Sequence, residues 1–155
     1  MINCLLGVGR PKENYWQEAL NQYAARLRHY GGCELNFVRP ERESPASKPM
    51  ELISREGERL LKSMQPTDTV WALVIQGQSL SSEHLAEKLD AARSSRRLVV
   101  VVGGQLGLAP EIQARAQLNL SLGAVTLPHE LAAVVALEQL YRAHTILAKL
   151  PYHRA

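Results

Sequence analysis

Glycines at 103, 104 and 107 directly follow Leu98 to Val102, five consecutive apolar residues of which four are β-branched. Such a run reads as a strand buried on both faces, the pattern of a parallel sheet under helices. Glycines at its exit let the backbone turn sharply and approach a ligand with no Cβ in the way. Open α/β sheets bind their ligands at the carboxyl ends of the strands, so this turn predicts one wall of a small-molecule pocket. Two further strand ends belong with it, Leu73 to Gly77 and Leu122 to Leu127. The segment GGQLGL lacks the spacing and the Lys-Ser/Thr pair of a P-loop, and a dinucleotide fingerprint would follow the first strand instead. A nucleotide-dependent oxidoreductase is therefore poorly supported.

Few side chains are placed for acid–base or anion work. His129 follows Pro128 at a helix start, where its ring serves either a ligand or the neighbouring backbone groups, the second being the blander reading. Glu138 and Arg142 stand at i and i+4, a pair worth only ~0.2–0.5 kcal/mol when exposed, so Glu138 reads as structural. A guanidinium near a substrate cleft is also a phosphate anchor, which keeps Arg142 a candidate. The sequence holds no HExxH, no CxxC and no acidic cluster suited to a divalent ion, and no metal is expected.

The elements that must position these residues alternate. Ile2 to Val8 is a first strand ended by Gly7, Gly9 and Pro11. Apolar residues recur at helical steps from Asn14 to Tyr30, with Asn14 as a possible cap and Gly31-Gly32 as a stop. Cys33 to Val38 alternates as a second strand, with Cys33, Leu35 and Phe37 on one face. Arg39 to Pro49 is a loop with three prolines, in which Arg39, Arg42 and Lys48 offer RNA contacts while its glutamates argue equally for plain solvation. Met50 to Met64 reads as a helix, and Asp68 to Ile75 as a buried strand leaving through Gln76-Gly77-Gln78. Ser81 or Ser82 caps the next helix, whose inner face is Leu85, Ala86 and Leu89. Pro110 to Ala116 is a short helix and Leu118 to Leu122 a fifth strand. The last helix runs from Pro128 or His129 to Leu147 and is apolar on nearly every side between Leu131 and Leu137, which predicts cover on more than one face and a two-fold dimer. Strands alternating with helices give an α/β domain with a mainly parallel sheet and helices on both faces.

Composition narrows the class. The chain has 155 residues, 46% hydrophobic and 21% charged, which fits one soluble globular domain over 1–155. No apolar run approaches the ~18 residues of a membrane span, and the opening MINCLLGVGRPKE reads as a strand rather than a signal peptide. Cys4 and Cys33 lack metal spacing and read as buried thiols of a reducing cytoplasm, a disulfide being the minor alternative. A net charge of +3 permits a nucleic-acid partner without arguing for one.

Taken together, VGGQLGL, LSLGAVTLPHEL, LEQLYRAHTIL and the terminal PYHR resemble the RlmH family, small SPOUT-class methyltransferases acting on a pseudouridine of 23S ribosomal RNA. The opening VGRPKENYW, the helix EGERLL and the segment TVWALVIQGQSLSSEHLA are similar too, so the likeness runs end to end. The resemblance implies a sheet whose C-terminal part is tied in a trefoil knot, an exception to the unknotted rule. It implies S-adenosylmethionine held in a bent form, mainly by backbone groups, at Leu73, Gly103 and Gly104, and at Leu122, Gly123, Ala124, Val125, Thr126 and Leu127. It implies a homodimer whose site is completed across the interface, with Tyr152, His153 and Arg154 covering the target base. The expected reaction is methylation of ring nitrogen 3 of pseudouridine on the assembled ribosome, in the cytoplasm. His153 is expected to assist proton loss from that imide, with Arg154 and Arg142 holding phosphate or the developing oxyanion. Such modest basicity favours a large composite ribosomal surface over naked RNA.

Three positions depart from the family pattern. Val74 stands where an acidic residue is usual, Ala133 where arginine is usual and Gln78 where lysine is common. The last two remove cations expected on RNA phosphate. Ala133 and Val74 motivate a second reading, a cofactor- or RNA-binding SPOUT dimer with impaired transfer, and the missing cations one with another RNA target.

Overall fold

The apolar runs assemble into one five-stranded sheet, all neighbours parallel, in the order β2-β1-β4-β3-β5. The strands are β1 (Ile2–Val8), β2 (Cys33–Val38), β3 (Thr69–Ser79), β4 (Arg97–Val102) and β5 (Leu118–Ser121). Between and after them come α1 (Asn14–Arg26), α2 (Pro49–Lys62), α3 (Ser82–Ala91), α4 (Pro110–Arg115) and α5 (His129–Leu147). The structure, a computed structural model, describes residues 1–153.

Two cores explain why β4 is apolar throughout. Leu98, Val100 and Val102 point into one, where Leu20 of α1, Leu85 and Leu89 of α3 and Leu137 and Leu140 of α5 cover the sheet. Val99 and Val101 point into the other, under Leu60 of α2 and Ile112 of α4. Period-two alternation sends successive side chains to opposite faces, so a strand covered on both must be apolar at every position. Cys4 and Cys33 are free thiols in these two different clusters, on opposite faces of the sheet, which rules out a bond between them. Burial pushes the Cys33 thiol up to about 12, so it stays protonated.

Four local details differ from the sequence reading. The first helix is α-helical only to Arg26 and tightens into a 3-10 turn over Leu27–Tyr30, stopped by Gly31 in the left-handed region. Asn14 does not cap it: the residue is already helical, Glu13 takes the cap position, and no side chain bonds there. Strand β3 runs on through Gln76-Gly77-Gln78 rather than turning. Leu120 pairs with both Leu73 and Gln78, so the intervening residues form a bulge. A Cβ on Gly77 would lie 2.6 Å from the Asn119 carbonyl oxygen, and only glycine lets the strand pass so near. Finally, the loop after β2 is tied to α2: Glu41 pairs with Arg59 and, at 3.5 Å, with Arg55, while its N–H donates to Glu56.

Candidate active site

The carboxyl ends of β3, β4 and β5 meet at a cleft of about 720 Å³. Its walls are Leu73, Val74 and Ile75 from the bulge of β3, Gly103 to Gly107 after β4, and Leu122, Gly123, Val125, Thr126 and Leu127 between β5 and α5. Of the strand-tip residues singled out in the sequence, Gln76 and Gly77 on β3 and the exposed Ala124 between β5 and α5 do not line it. The glycine turn closes on itself, with the Gly107 N–H donating to the Gly104 carbonyl at 3.1 Å. A Cβ on Gly103 would stand 2.5 Å from the Gly107 carbonyl oxygen, inside any permissible contact. Ser121 locks the other two walls together: its hydroxyl donates to the Ile75 carbonyl at 2.8 Å and accepts from the Gly123 N–H at 3.2 Å. The result is a largely apolar cavity with a few backbone groups exposed in it, the usual make-up of a small-molecule site.

At the start of α5, His129 and Glu130 also line the cleft, with His129 Nε2 at 3.2 Å from Glu130 Oε1. No side chain caps this helix, so His129 does not take the backbone-satisfying role. Val74 lies in the cleft wall, Gln78 is exposed beyond the bulge, and Ala133 is buried in the core under α5. Position 133 is thus not on a surface that an RNA phosphate reaches in this chain.

The remaining candidates gather elsewhere. Glu138 Oε1 accepts from Arg142 Nη2 at 2.6 Å and from the Tyr152 hydroxyl at 3.1 Å. The Arg142 guanidinium lies over the Tyr152 ring, 4.9 Å from its centroid. His153 Nε2 is 2.6 Å from Glu83 Oε1 on α3, and its Nδ1 is 3.5 Å from Arg142. Burial, and then the bond to Glu138, push the Tyr152 phenol up to about 12, so it is a donor and not a base near neutrality. Glu83 is held at about 2 by its own N–H, then the Ser81 hydroxyl, then His153. Arg154 lies outside the described residues.

Arg142, Tyr152 and His153 therefore form one cluster, but not at the cleft of their own chain. Thirteen residues separate His129 from Arg142 along α5, about 20 Å at the helical rise. Glu138, read from its spacing as a simple helix-surface pair, in fact organises this cluster. The i, i+4 relation to Arg142 was visible, but the return of Tyr152 onto the same carboxylate depends on how the tail folds back.

A parallel α/β sheet with its cleft at the carboxyl edge of the last strands defines a small-molecule-using enzyme class, and the comparisons specify it. Residues 1–153 match the family described as "Predicted SPOUT methyltransferase". "Ribosomal RNA large subunit methyltransferase H" of Limosilactobacillus reuteri is 38% identical, covering 97% of this chain and 98% of that protein. The proteins of the same name from Ligilactobacillus salivarius and Bifidobacterium adolescentis are also 38% identical at the same coverage. Among solved structures, a probable methylase family protein from Haemophilus influenzae aligns with TM-score 0.55 over 99% of this chain and 70% of its own, at 15% identity. A ribosomal RNA small subunit methyltransferase E from Neisseria gonorrhoeae, bound to S-adenosyl methionine, aligns with TM-score 0.51 over 94% of this chain and 66% of its own, at 15% identity; both likenesses bear on the fold. The chain is a SPOUT methyltransferase, and within that class it belongs to the ribosomal RNA large subunit methyltransferase H (RlmH) family.

Proposed function

We propose that this protein, acting as one domain over 1–155, methylates ring nitrogen 3 of a pseudouridine in 23S ribosomal RNA, on the assembled ribosome in the cytoplasm. One observation carries the reading: three strand tips, one of them a glycine turn that excludes any side chain, enclose a single cleft in a chain of this family. That cavity fits S-adenosylmethionine. Its apolar walls suit an adenosyl group, and the turn that a Cβ on Gly103 would fill brings backbone groups to the ligand. Leu73, Gly103, Gly104 and Leu122 to Leu127 would hold the cofactor, which supplies a methyl group already activated on a sulfonium.

The protein's own work is then orientation, desolvation and one proton transfer. Pseudouridine N3 is an imide that attacks only after losing its proton. His153, an imidazole, is the side chain proposed to take that proton. Arg142, fixed by Glu138 and stacked on Tyr152, presents a positioned guanidinium to phosphate or to the developing oxyanion, and Arg154, next to His153 in sequence, would offer a second. Because about 20 Å of helix separates these groups from the cleft of their own chain, the complete site takes the cleft of one copy and the tail of a second. A homodimer supplies this, and the apolar residues around the cleft mouth, Ile75, Leu106 and Val125, are exposed for such a cover. The chain reaches β5 outside β3 and returns to pack α5 on α1 and α3, and there we infer the trefoil crossing.

Titration calorimetry with S-adenosylmethionine, followed by transfer of tritiated methyl to ribosomes lacking the modification, tests the reading. Binding and transfer are expected, with mass spectrometry locating the product on a pseudouridine base. Binding without transfer would favour an impaired dimer, and transfer to another nucleotide a different target. His153→Ala should lower kcat on the order of a hundredfold; unchanged turnover would remove it as the proton acceptor.

A further inference from the structure

A second cleft, of about 490 Å³, adjoins the first, and Gly104, Gln105, Leu106, His129 and Glu130 line both. Glu56 of α2 opens into the second cleft and not the first, and it is only 8% exposed. A carboxylate so far out of water needs partners, since burying an unpaired charge is costly. Its Oε1 has one, the Glu41 N–H at 2.9 Å. Its Oε2 accepts no hydrogen bond among the described residues, and it lies 3.2 Å from where a Cβ on Gly104 would stand. The cations nearest along α2, Arg55 and Arg59, are both taken by Glu41. The fold therefore holds one acceptor oxygen unpartnered among the described residues, on a residue only 8% exposed, open to the cleft beside the glycine turn.

The same cleft is lined by Glu13, Glu41, Glu43 and Glu130 as well as by Arg10 and Lys12, the two cations forming no ion pair among the described residues. Such an acidic lining calls for an N–H donor at Glu56, with any anionic group confined to the Arg10–Lys12 side, which describes a nucleotide whose base carries a ring N–H. Resting on the methylation reading above, pseudouridine has such a donor besides the reacting N3. Its carbon–carbon link to the ribose leaves ring nitrogen 1 bearing a hydrogen where uridine has only C5–H. We propose that Glu56 determines specificity: its Oε2 accepts the N1–H of the target base and so selects pseudouridine over uridine, while N3 faces the cofactor cleft. A site built to hydrogen-bond a donor rejects the analogue that lacks it, because the bound base shuts water away from an acceptor it leaves unpaired.

Ribosomes carrying either pseudouridine or uridine at the target, the latter from cells lacking the relevant synthase, separate the outcomes. The probes are the full-length dimer, wild type and Glu56→Gln. The glutamine keeps a carbonyl for the Glu41 N–H and turns its amide NH₂ toward the cleft. The expected result is that kcat/KM on pseudouridine ribosomes falls at least about tenfold more than on uridine ribosomes, collapsing the wild-type preference. Arg10→Gln, on the exposed rim, should instead weaken both substrates by the same factor. Equal losses on both ribosomes with Glu56→Gln, an unchanged preference, or a weakened cofactor affinity with the preference intact would overturn the assignment, as would an Arg10→Gln enzyme indistinguishable from wild type. A wild-type enzyme that methylates neither ribosome would sink the methylation reading first and this assignment with it, an outcome distinct from an active enzyme whose preference ignores Glu56.

Discussion

Gly103 has little freedom to change. An added methyl would meet the Gly107 carbonyl oxygen at 2.5 Å, and backbone cannot swing aside as a side chain can. Gly103→Ala should raise the S-adenosylmethionine dissociation constant by about tenfold or more, roughly 1.4 kcal/mol of binding, while the protein stays folded; calorimetry showing an unchanged constant would mean the turn is not a cradle. His144 offers a test by pH. It is 7% exposed, stacks on Tyr30 at 4.8 Å, and has Nε2 at 3.0 Å from Asn3 Oδ1. The Asn3 amide already donates to the Tyr30 and Gly32 carbonyls, so its oxygen accepts and the neutral imidazole donates. Burial, then Arg93 and the N-terminal amine, lower its pKa from 6.5 to about 4. Between those values the unfolded chain binds more protons than the folded one, so stability falls as pH drops through that window. The melting temperature should decline from pH 7 to pH 4.5, and His144→Gln should flatten that decline; an unaltered slope would assign it to other groups. The glycine turn was readable because strand exit and glycine spacing are local. Glu56 was not, since nothing in EGERLL tells which glutamate a neighbouring loop will bury.

Helix α5 is the element that links the two halves of the proposed site, with the cleft at its start and the Glu138–Arg142–Tyr152 cluster toward its end. Leu137, fully buried midway along it, pins it to the sheet. Leu137→Ala should cost about 2–5 kcal/mol in chemical denaturation; a loss well below that range would mean the core collapses around the gap. Ser81 caps α3 by accepting from the His84 N–H at 3.2 Å, and its hydroxyl also helps hold Glu83, the partner of His153. Ser81→Ala should lower stability by about 1 kcal/mol, read from the same denaturation curves, and no loss would show the cap to be idle. Elements of this kind were legible where the signal is local: the Ser81 cap, the alternation of Cys33 to Val38, the unbroken apolar run of β4. They were illegible where tertiary pairing overrides a turn signal. Gln76-Gly77-Gln78 has the composition of an exit turn, yet Leu120 draws it back into the ladder as a bulge, and that pairing spans forty-odd residues of chain.

At the scale of the whole molecule, the parallel sheet order puts the cleft at its carboxyl edge, and the separation along α5 keeps the Arg142–Tyr152–His153 cluster away from the cleft of its own chain, which is why the proposed site draws on two copies. The alternation of strands and helices predicted the layers, but no compositional trace records which chain end meets which cleft. Light scattering should give twice the chain mass, and a monomer that still methylates ribosomes would refute the shared site. The most direct test mixes two inactive dimers, one with its cleft closed by Gly103→Val and one with its tail disabled by His153→Ala, under conditions that exchange subunits. If cleft and tail come from different copies, each heterodimer regains one intact site, and random exchange should restore about a quarter of wild-type transfer. A mixture that stays as inactive as its parents, although exchange has taken place, would show that each chain builds its site alone and would contradict the account.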